Sequence, residues 1–345
     1  MWYRSLRRMR PKEKHQVRKM RVTVLTYLEK EGAAEHDIVV DQVCDALRKH
    51  GHKPKILGVH NDINLLVEGI KAHRPHLVFN LVEQWGRNVR GDVAVAGTLE
   101  LLGMRHTGGG PGELFLRQDK ALTKELLAYH GVPFPNYAVF RRDSFPDTGV
   151  RLRMPLIVKP LRMDASIGID SSSVARSTTQ MMKRVIAIHE KVKDSALVEE
   201  YIEGREFYVG VMGNRKPIAL PPIEMDFSAL PKHMPRILGR RAKWVPSSRE
   251  YKGTRSKLAD VNDVLKQRLQ TVAVEAYRAL RVRDYGRVDL RVTPENEIYV
   301  IEVNASCYLE GTAEFATAAK AAGLSYTDLI NAIARLAMAR SRRPF

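Results

Sequence analysis

Two neighbouring segments near the C-terminal end of this 345-residue sequence carry polar side chains that alternate with apolar ones. The segments flank a Pro-Glu-Asn-Glu turn at residues 294–297, and this pattern predicts a β-hairpin. A symmetric turn pairs Asp289 with Glu302 and Arg287 with Asn304. Because successive side chains of a strand alternate between the two sheet faces, all four are expected on one face.

Two carboxylates that face each other across a hairpin are destabilising unless a positive charge lies between them. Asp289, Glu302 and Asn304 offer only oxygen ligands, which suit a hard cation such as Mg²⁺, usually completed by substrate phosphates. The alternative is an exposed hairpin with solvated charges. The Val and Ile residues on both segments indicate buried strands, so we favour the metal site.

A lysine at the end of an apolar run is the second candidate for chemistry. Lys159 ends the run Pro155–Lys159, and the small-residue segment 164–168, which contains Ser166, follows it. An ammonium group and the backbone N–H groups of a tight turn bind phosphate well. The P-loop pattern Gly-x-x-x-x-Gly-Lys-Ser/Thr is absent. A lysine that is simply solvated at a strand end is the alternative.

Acidic residues follow the next predicted strand. Glu199 and Glu206 flank a turn and could accept hydrogen bonds from an adenine amine and ribose hydroxyls, although acidic residues on a surface linker are an equally good interpretation. Lys243, beside Trp244, lies in the irregular Pro-rich stretch 217–251. Loops of such length are usually functional or disordered, so a lid that places Lys243 over phosphates is the functional hypothesis.

The elements that must position these residues are predicted from periodicity. Short apolar strands alternate with helical patterns over the first hundred residues, which indicates an α/β layer with parallel strands. The Gly-rich turn 108–112 predicts the first domain boundary. We predict a basic, disordered tail (1–19), an N-terminal α/β domain (20–113), a central lid subdomain (114–203) and a C-terminal domain with the metal and catalytic site (204–340).

Composition and charge exclude several classes of protein. With 44% hydrophobic and 28% charged residues, and no apolar run of about 20 residues, the chain is predicted to be globular and not to span a membrane. Cys44 and Cys307 cannot form a disulfide framework, which fits a reducing cytoplasm. The net charge is +18, but residues 1–21 contribute +8 and residues 335–345 contribute +4.

The body between the termini is therefore only mildly basic, which suits anionic substrates and not a nucleic-acid interface. The N-terminal tail lacks the apolar region of a secretory signal. A solvated tail, or a start at Met20, is favoured over a weak amphipathic membrane anchor.

Taken in order, these features resemble the ATP-grasp superfamily, most closely the D-alanine–D-alanine ligases, over roughly residues 20–335. The resemblance implies a three-domain ATP-grasp fold with a Rossmann-like N-terminal domain. It implies a cytoplasmic carboxylate–amine ligase of peptidoglycan synthesis that uses ATP, passes through an acyl phosphate and releases ADP and phosphate. Small amino acids or peptides are the expected substrates, a homodimer is a further expectation, and no nucleic acid or membrane partner is expected.

The resemblance also implies roles for individual residues. The nucleotide-binding set is Lys120 and Lys159 for the phosphates, Ser166 for the loop over the γ-phosphate, Glu199 for the adenine amine, the backbone of Glu200 and Ile202 nearby, and Glu206 for the ribose. The catalytic set is Arg287 for the oxyanion, Lys243 for lid closure and Glu35 for the ammonium of the first substrate. Asp289, Glu302 and Asn304 are implied to hold two Mg²⁺ ions, which Mn²⁺ could replace.

The departures from the family pattern lie where the amino-acid substrates are expected. The Tyr-Ser-Glu latch of the lid corresponds to Trp244, Ala165 and Glu35, so that latch is expected to be missing. A Ser-Leu pair for the second substrate's carboxylate corresponds to Ala313 and Glu314, where an acid would repel a carboxylate unless another group intervenes.

We therefore hypothesise that ATP use is retained while one or both substrates differ from D-alanine. Three alternatives remain open. They are an ATP-grasp ligase that makes another dipeptide or amide, a non-catalytic ATP-binding module whose basic termini dock on an anionic partner, and, more remotely, a nucleic-acid-binding protein.

Overall fold

The computed structural model describes residues 19–340, apart from residues 34, 87, 89, 143–150, 164–165 and 233. The predicted basic tail lies outside the described residues except at its last position, and so do Arg342 and Arg343. The described strands form three sheets, as the predicted mixture of helices and strands requires. No helix in these described ranges is long and apolar enough to cross a membrane.

The first sheet is parallel, which confirms the predicted α/β layer. Its strands are β1 (Arg21–Tyr27), β2 (Lys53–Val59) and β3 (Leu77–Asn80), in the order β2-β1-β3. Its helices are α1 (Ile38–Lys49), α2 (Ile63–His73) and α3 (Gly91–Leu101). Helix α1 begins where the Asp37 carboxylate accepts a hydrogen bond from the backbone N–H of Val39 at 2.9 Å, which satisfies an otherwise unpaired donor.

The second sheet is antiparallel and follows a pair of short helices. The helices are α4 (Pro111–Gln118) and α5 (Lys120–Tyr129), and the strands are β4 (Tyr137–Phe140), β5 (Leu156–Pro160), β6 (Val174–Ala175) and β7 (Ala196–Glu200), in the order β4-β7-β5-β6. Helix α6 (Thr178–Ala187) precedes β7. Asp119 caps α5 by accepting from the N–H groups of Ala121 and Leu122, so Lys120 is held at the first position of that helix.

The third sheet carries the predicted hairpin. Its strands are β8 (Arg205–Met212), β9 (Ile218–Ala219), β10 (Ile223–Asp226), β11 (Arg255–Leu258), β12 (Tyr285–Val292) and β13 (Ile298–Ala305). The order is β11-β10-β8-β12-β13, and β9 pairs with β8. The remaining helices are α7 (Arg240–Trp244), α8 (Arg249–Lys252), α9 (Asp263–Ala279), α10 (Glu314–Ala321) and α11 (Tyr326–Ala339).

A continuous hydrophobic core joins the two ends of the chain. Buried residues of β1 and α1, such as Val22 and Leu47, pack with Ile330 and Ile333 of α11, and the same cluster reaches Phe315 of α10. Helix α11 packs directly on α1. Burying this shared apolar surface stabilises the docking of the N-terminal sheet against the third sheet.

The stretch 217–251 was expected to be irregular, and the structure differs. It contains β9, β10, α7 and α8, which are only two to five residues long. Elements of that length show no full period of hydrophobicity, so the sequence pattern could not reveal them.

Candidate active site

The β12–β13 hairpin pairs as predicted. Asp289 lies opposite Glu302 and Arg287 lies opposite Asn304, and the register shifts by one residue immediately after Asp289. The Arg287 guanidinium donates from Nε and Nη2 to the two oxygens of Asp289 at 2.7 and 2.9 Å. The Asn304 amide donates to Asp289 Oδ2 at 3.1 Å. Hydrogen bonds therefore join three of the four polar side chains on this face, and the charge of Glu302 acts on Asp289 at short range.

Four cationic side chains surround Glu302. Although burial alone would favour the neutral acid, the positive charges of Lys120, Lys159, Lys243 and Arg287 hold the pKa of Glu302 below its usual value. These cations come from α5, β5, α7 and β12. The fold thus concentrates positive charge around a partly buried carboxylate, an arrangement that attracts a polyanion.

The donor set of the cluster fits a hard cation. No group of three or more His, Cys, Asp or Glu side chains in the described part of the chain could hold a metal by itself. Asp289, Glu302 and Asn304 supply two carboxylates and one amide, and Mg²⁺ commonly binds through one or two carboxylates and completes its coordination with substrate phosphates. This set can therefore hold Mg²⁺ together with a phosphate ligand.

Glu199 is bound by two buried lysines. Lys124 Nζ lies 2.5 Å from Glu199 Oε1 and Lys159 Nζ lies 2.6 Å from Oε2, with side-chain exposures of 2%, 6% and 1% for Lys124, Lys159 and Glu199. Lys124 also lies over the rings of Phe134 and Tyr137, at 5.6 and 5.9 Å from their centroids. Although burial opposes ionisation, the two ammonium groups hold the pKa of Glu199 below its usual value.

The segment between β7 and β8 is fixed by an arginine that the sequence reasoning did not assign. Arg291 Nη2 pairs with Glu206 Oε2 at 2.7 Å, and Nη1 donates to the carbonyl oxygens of Ile202 and Gly204 at 3.4 Å. The other oxygen of Glu206 accepts from the hydroxyl of Tyr208 at 2.7 Å. Arg291 therefore sets the position of both Glu206 and the Ile202 backbone.

The side chain of Glu200 points away from this cluster. Its carboxylate accepts from the Asn136 amide at 3.2 Å and from the backbone N–H of Arg153 at 2.9 Å. This is the expected consequence of strand alternation, since its neighbour Glu199 faces the buried side. Only the Glu200 backbone was predicted to contribute, and the structure agrees with that restriction.

The stretch 217–251, which was predicted to act as a lid and is called the lid below, contacts the loop that contains Ser166. The Ser166 hydroxyl donates to the carbonyl of Leu238 at 2.8 Å, and the backbone N–H of Arg240 donates to the carbonyl of Ile169 at 3.0 Å. The family latch was expected to be missing, and Ala165 lies outside the described residues, whereas Trp244 is 63% exposed on α7. These two hydrogen bonds connect the lid to the loop without Trp244.

The N-terminal sheet approaches the site through the loop after Asn304. The Tyr308 hydroxyl donates to both oxygens of Asp37 at 2.8 and 3.0 Å, and the Gln42 side chain accepts from the backbone N–H of Gly311 at 2.8 Å. Glu35 lies two residues before Asp37, is exposed, and makes no hydrogen bond or ion pair with another described residue. The structure therefore brings the segment of Glu35 next to the loop but leaves its carboxylate outside the cluster.

Most of the predicted residues come together in the folded chain. The connected set is Lys120, Lys159, Glu199, Glu206, Lys243, Arg287, Asp289, Glu302 and Asn304, whereas the Ser166 hydroxyl contacts Leu238. The sequence reasoning missed Lys124. One signal was present, because Lys120 and Lys124 are like charges at i and i+4 on one helix, which is unfavourable without a buried partner.

Comparisons with known proteins agree with this geometry. A family model described as "D-ala D-ala ligase C-terminus" matches residues 126–335. The D-alanine–D-alanine ligase of Carboxydothermus hydrogenoformans is 32% identical over 255 residues, which is 72% of this chain and 77% of that protein. The uncharacterised protein y4sG of Sinorhizobium fredii is 32% identical over 310 residues, which is 88% of each chain.

Solved structures show the same fold. The crystal structure of D-alanine–D-alanine ligase from Bacillus anthracis complexed with ATP has a TM-score of 0.69 and 20% sequence identity, and the match covers 92% of this chain and 97% of that one. The chain therefore shares the fold of these solved D-alanine–D-alanine ligase structures.

Proposed function

Because this chain belongs to the D-alanine–D-alanine ligase family, it is an ATP-dependent ligase that forms a carbon–nitrogen bond, and we propose that it does so at the β12–β13 hairpin. A carboxyl group is activated as an acyl phosphate with release of ADP, and an amine then displaces the phosphate. The substrates are small amino acids, and two D-alanines are the first pair to test.

The observation that carries this proposal is the set of cations around Glu302. Lys120, Lys159 and Lys243 come from three separate elements, yet all act on the same partly buried carboxylate, that of Glu302. Phosphoryl transfer depends mainly on positioning and on electrostatic stabilisation of the phosphate oxygens. Lysines that converge on a pair of carboxylates provide both.

We assign the nucleotide to the residues between the second and third sheets. Lys120 and Lys159 contact the phosphates, and the Ser166 loop lies over the γ-phosphate. Glu199 and the backbone of Glu200 and Ile202 receive the adenine. Glu206, held by Arg291, receives the ribose. Because Glu199 and Glu206 already have partners on both oxygens, nucleotide binding must share or replace those contacts.

The chemistry follows from the charges in the cluster. An oxygen of the first substrate's carboxylate attacks the γ-phosphorus, and the bond from the γ-phosphorus to the bridging oxygen of ADP breaks. Arg287 stabilises the oxyanion that forms when the amine adds to the acyl phosphate. Lys243 closes over the phosphates, and the lid excludes water that would hydrolyse the intermediate. Glu35 binds the ammonium of the first substrate.

Asp289, Glu302 and Asn304 hold two Mg²⁺ ions in this proposal, and Mn²⁺ can replace them. When bound, such ions offset the negative charge of the transferring phosphoryl group. Until the nucleotide arrives, the Arg287 contact keeps the buried Asp289 carboxylate compensated.

We propose that the enzyme is cytoplasmic and that it forms a homodimer. Both cysteines are free and buried, and burial raises the pKa of the Cys44 thiol to about 11 and that of Cys307 further still. Buried, protonated thiols without a partner suit a reducing compartment. Light scattering on the purified protein tests the dimer, and a monomer would contradict it.

The proposal is tested by phosphate release with Mg²⁺ and ATP against D- and L-amino acids, singly and in pairs, with products identified by mass. Release with D-alanine and formation of its dipeptide is the expected result, and it would contradict the hypothesis, drawn from the sequence, that a substrate differs from D-alanine. Release with other pairs keeps the ligase and changes its substrates. Arg287→Lys is the control variant, because it should keep ATP binding and lose turnover. Tight ATP binding without release for any pair would contradict the proposal.

A further inference from the structure

A carboxylate borders the catalytic arginine on the side away from Asp289. Glu314 is the first residue of α10, and its Oε2 lies 3.8 Å from Arg287 Nη1. Its side chain is 25% exposed, whereas that of Arg287 is 15% exposed. Glu314 therefore lies at the edge of the buried cluster, where a molecule entering from solvent would meet it.

The other sides of the Arg287 guanidinium are already occupied. Asp289 takes the Nε and Nη2 edge, and the ring of Tyr208 lies against the guanidinium with 4.5 Å between Arg287 Cζ and the ring centroid. No described residue makes a hydrogen bond to Arg287 Nη1, and Glu314 lies on that side. Since Asp289 already neutralises Arg287 through two hydrogen bonds, a second carboxylate is not needed for charge compensation.

Glu314 differs from the other carboxylates of this region. Within the described residues its side chain makes no hydrogen bond, and at 3.8 Å its contact with Arg287 is an ion pair only. By contrast, Asp37 is bound by Tyr308, and Glu310 is bound by Thr312 and Gln42. Glu314 therefore has oxygens that remain available to a ligand, as Glu35 does, but unlike Glu35 it lies beside Arg287.

We propose that Glu314 binds the ammonium of the amine substrate and accepts its proton. The inference rests on the proposed function, in which Arg287 faces the oxyanion of the tetrahedral intermediate. The oxyanion and the attacking nitrogen are bonded to the same carbon, so a carboxylate adjacent to Arg287 Nη1 is within reach of that nitrogen. The oxygen of a general base must come within about 2.6–3.2 Å of the nitrogen that carries the proton. The flexible side chain of Glu314 can do this here.

The step balances as follows. The ammonium of the second substrate gives one proton to Glu314, and the nitrogen lone pair then forms the C–N bond to the acyl-phosphate carbon. The C–O bond to phosphate breaks, and its electron pair leaves with the phosphate. The phosphate takes the second nitrogen proton and departs as hydrogen phosphate. Glu314 finally releases its proton to solvent.

The same geometry explains a feature of the sequence. An acid at position 314 was expected to repel a substrate carboxylate unless another group intervenes. Arg287 is such a group, because it lies between Glu314 and Asp289. The pair Arg287 and Glu314 can therefore receive the two reacting groups together, with Arg287 near the carbonyl oxygen of the acyl phosphate and Glu314 near the ammonium of the amine substrate.

Hydroxylamine provides the test, because it is already neutral at neutral pH and attacks acyl phosphates without help from a base. The wild type and Glu314→Gln are assayed for amide formation with the amine substrate and for hydroxamate formation with hydroxylamine. Glu314→Gln should lower kcat/KM for the amine by about 100-fold and leave hydroxamate formation nearly unchanged. Glu314→Asp should recover part of the amine reaction, and Glu295→Gln, in the exposed turn of the same hairpin, should behave as wild type.

Three results would overturn the inference. An equal loss with both nucleophiles would mean that Glu314 acts only through Arg287, because Arg287 serves both reactions. An unchanged amine reaction in Glu314→Gln would mean that the carboxylate does not meet the amine. If the wild type forms no hydroxamate, the reaction does not pass through an acyl phosphate. That result would contradict both the proposed function and this inference. Thermal unfolding of each variant separates these results from misfolding.

Discussion

Lys124 Nζ lies 2.5 Å from Oε1 of Glu199, and neither side chain is more than 2% exposed. Helix α5 and strand β7 are thereby joined by a buried ion pair, and Lys159 of β5 completes it from the other side. Ion pairs of this kind seldom add net stability relative to apolar packing, so their presence indicates a need for charge. We propose that the need here is to keep Glu199 ionised beside Lys159, which we assign to the phosphates.

Replacing Lys124 should weaken nucleotide binding. In Lys124→Met, Glu199 keeps only Lys159 as a partner, so Lys159 is held at Glu199 and is less available to phosphate. We expect ATP affinity to fall about tenfold and the free energy of unfolding to fall by about 3 kcal/mol. Calorimetric ATP titration and urea unfolding measure the two effects.

The exposed Lys183→Met on α6 is the control and should change neither quantity. The double variant Lys124→Met, Glu199→Gln also leaves buried Lys159 without its carboxylate, so it should recover neither the stability nor the affinity. Wild-type ATP affinity in Lys124→Met would show that this lysine is purely structural.

Removing the charge of Asp289 should weaken Mg²⁺ binding and thereby abolish activity. Asp289→Asn keeps the shape of the side chain but cannot pair with Arg287 as an anion, and it is a weaker Mg²⁺ ligand. We expect turnover at saturating Mg²⁺ to fall by more than about 100-fold with little change in unfolding. A Mg²⁺ titration of ATP turnover makes the measurement, with Glu297→Gln at the other end of the hairpin as control. Retained Mg²⁺-dependent turnover would place the metal elsewhere.

The contact between Ser166 and Leu238 should control lid opening. Ser166→Ala removes one hydrogen bond, worth about 1 kcal/mol, and leaves the backbone bond from Arg240 to Ile169 in place. We expect amide hydrogens of residues 239–244 to exchange about fivefold faster, and ATP hydrolysis in the absence of amine to rise. Ser172→Ala removes a hydroxyl of the same region that does not contact the lid. Exchange rates equal to those of the wild type would mean that other contacts hold the lid.

Glu100 should make the stability depend on acid pH. The pKa of Glu100 is lowered from 4.5 to about 2, because the nearby His106 ring and the Arg283 guanidinium, which donates to Glu100 Oε1 at 2.9 Å, outweigh the effect of burial. A depressed pKa means that the carboxylate stabilises the fold above pH 4.5 and that this contribution is lost as the pH falls toward 2. Glu100→Gln should therefore reduce the free energy of unfolding by about 2 kcal/mol at neutral pH, with the difference shrinking in acid.

Urea midpoints of Glu100→Gln and wild type between neutral and acid pH test this expectation. Glu68→Gln removes a largely exposed carboxylate from a pair with Lys71 and should have almost no effect. If the difference in stability between Glu100→Gln and the wild type does not depend on pH, Glu100 stabilises the fold through its hydrogen bonds and not through its charge. Because Arg283 precedes β12, the result also reports how the first sheet docks on the third.

The sequence by itself determined the local elements and the hairpin. Strand alternation and turn length are local properties, so the pairing of Asp289 with Glu302 and of Arg287 with Asn304 was predictable. The strand that ends near Lys159 and the helix that begins at Lys120 also followed from local patterns. The order of these motifs along the chain was sufficient to indicate the family.

Only the tertiary structure decided which distant side chains meet. Lys124 pairs with Glu199, Glu314 borders Arg287, and Ser166 bonds to Leu238 across long separations in the chain. Periodicity reports which side of an element is buried but not which partner buries it. A buried charge must find an opposite charge wherever the packing of helices and sheets places one, and that choice is made by the whole fold.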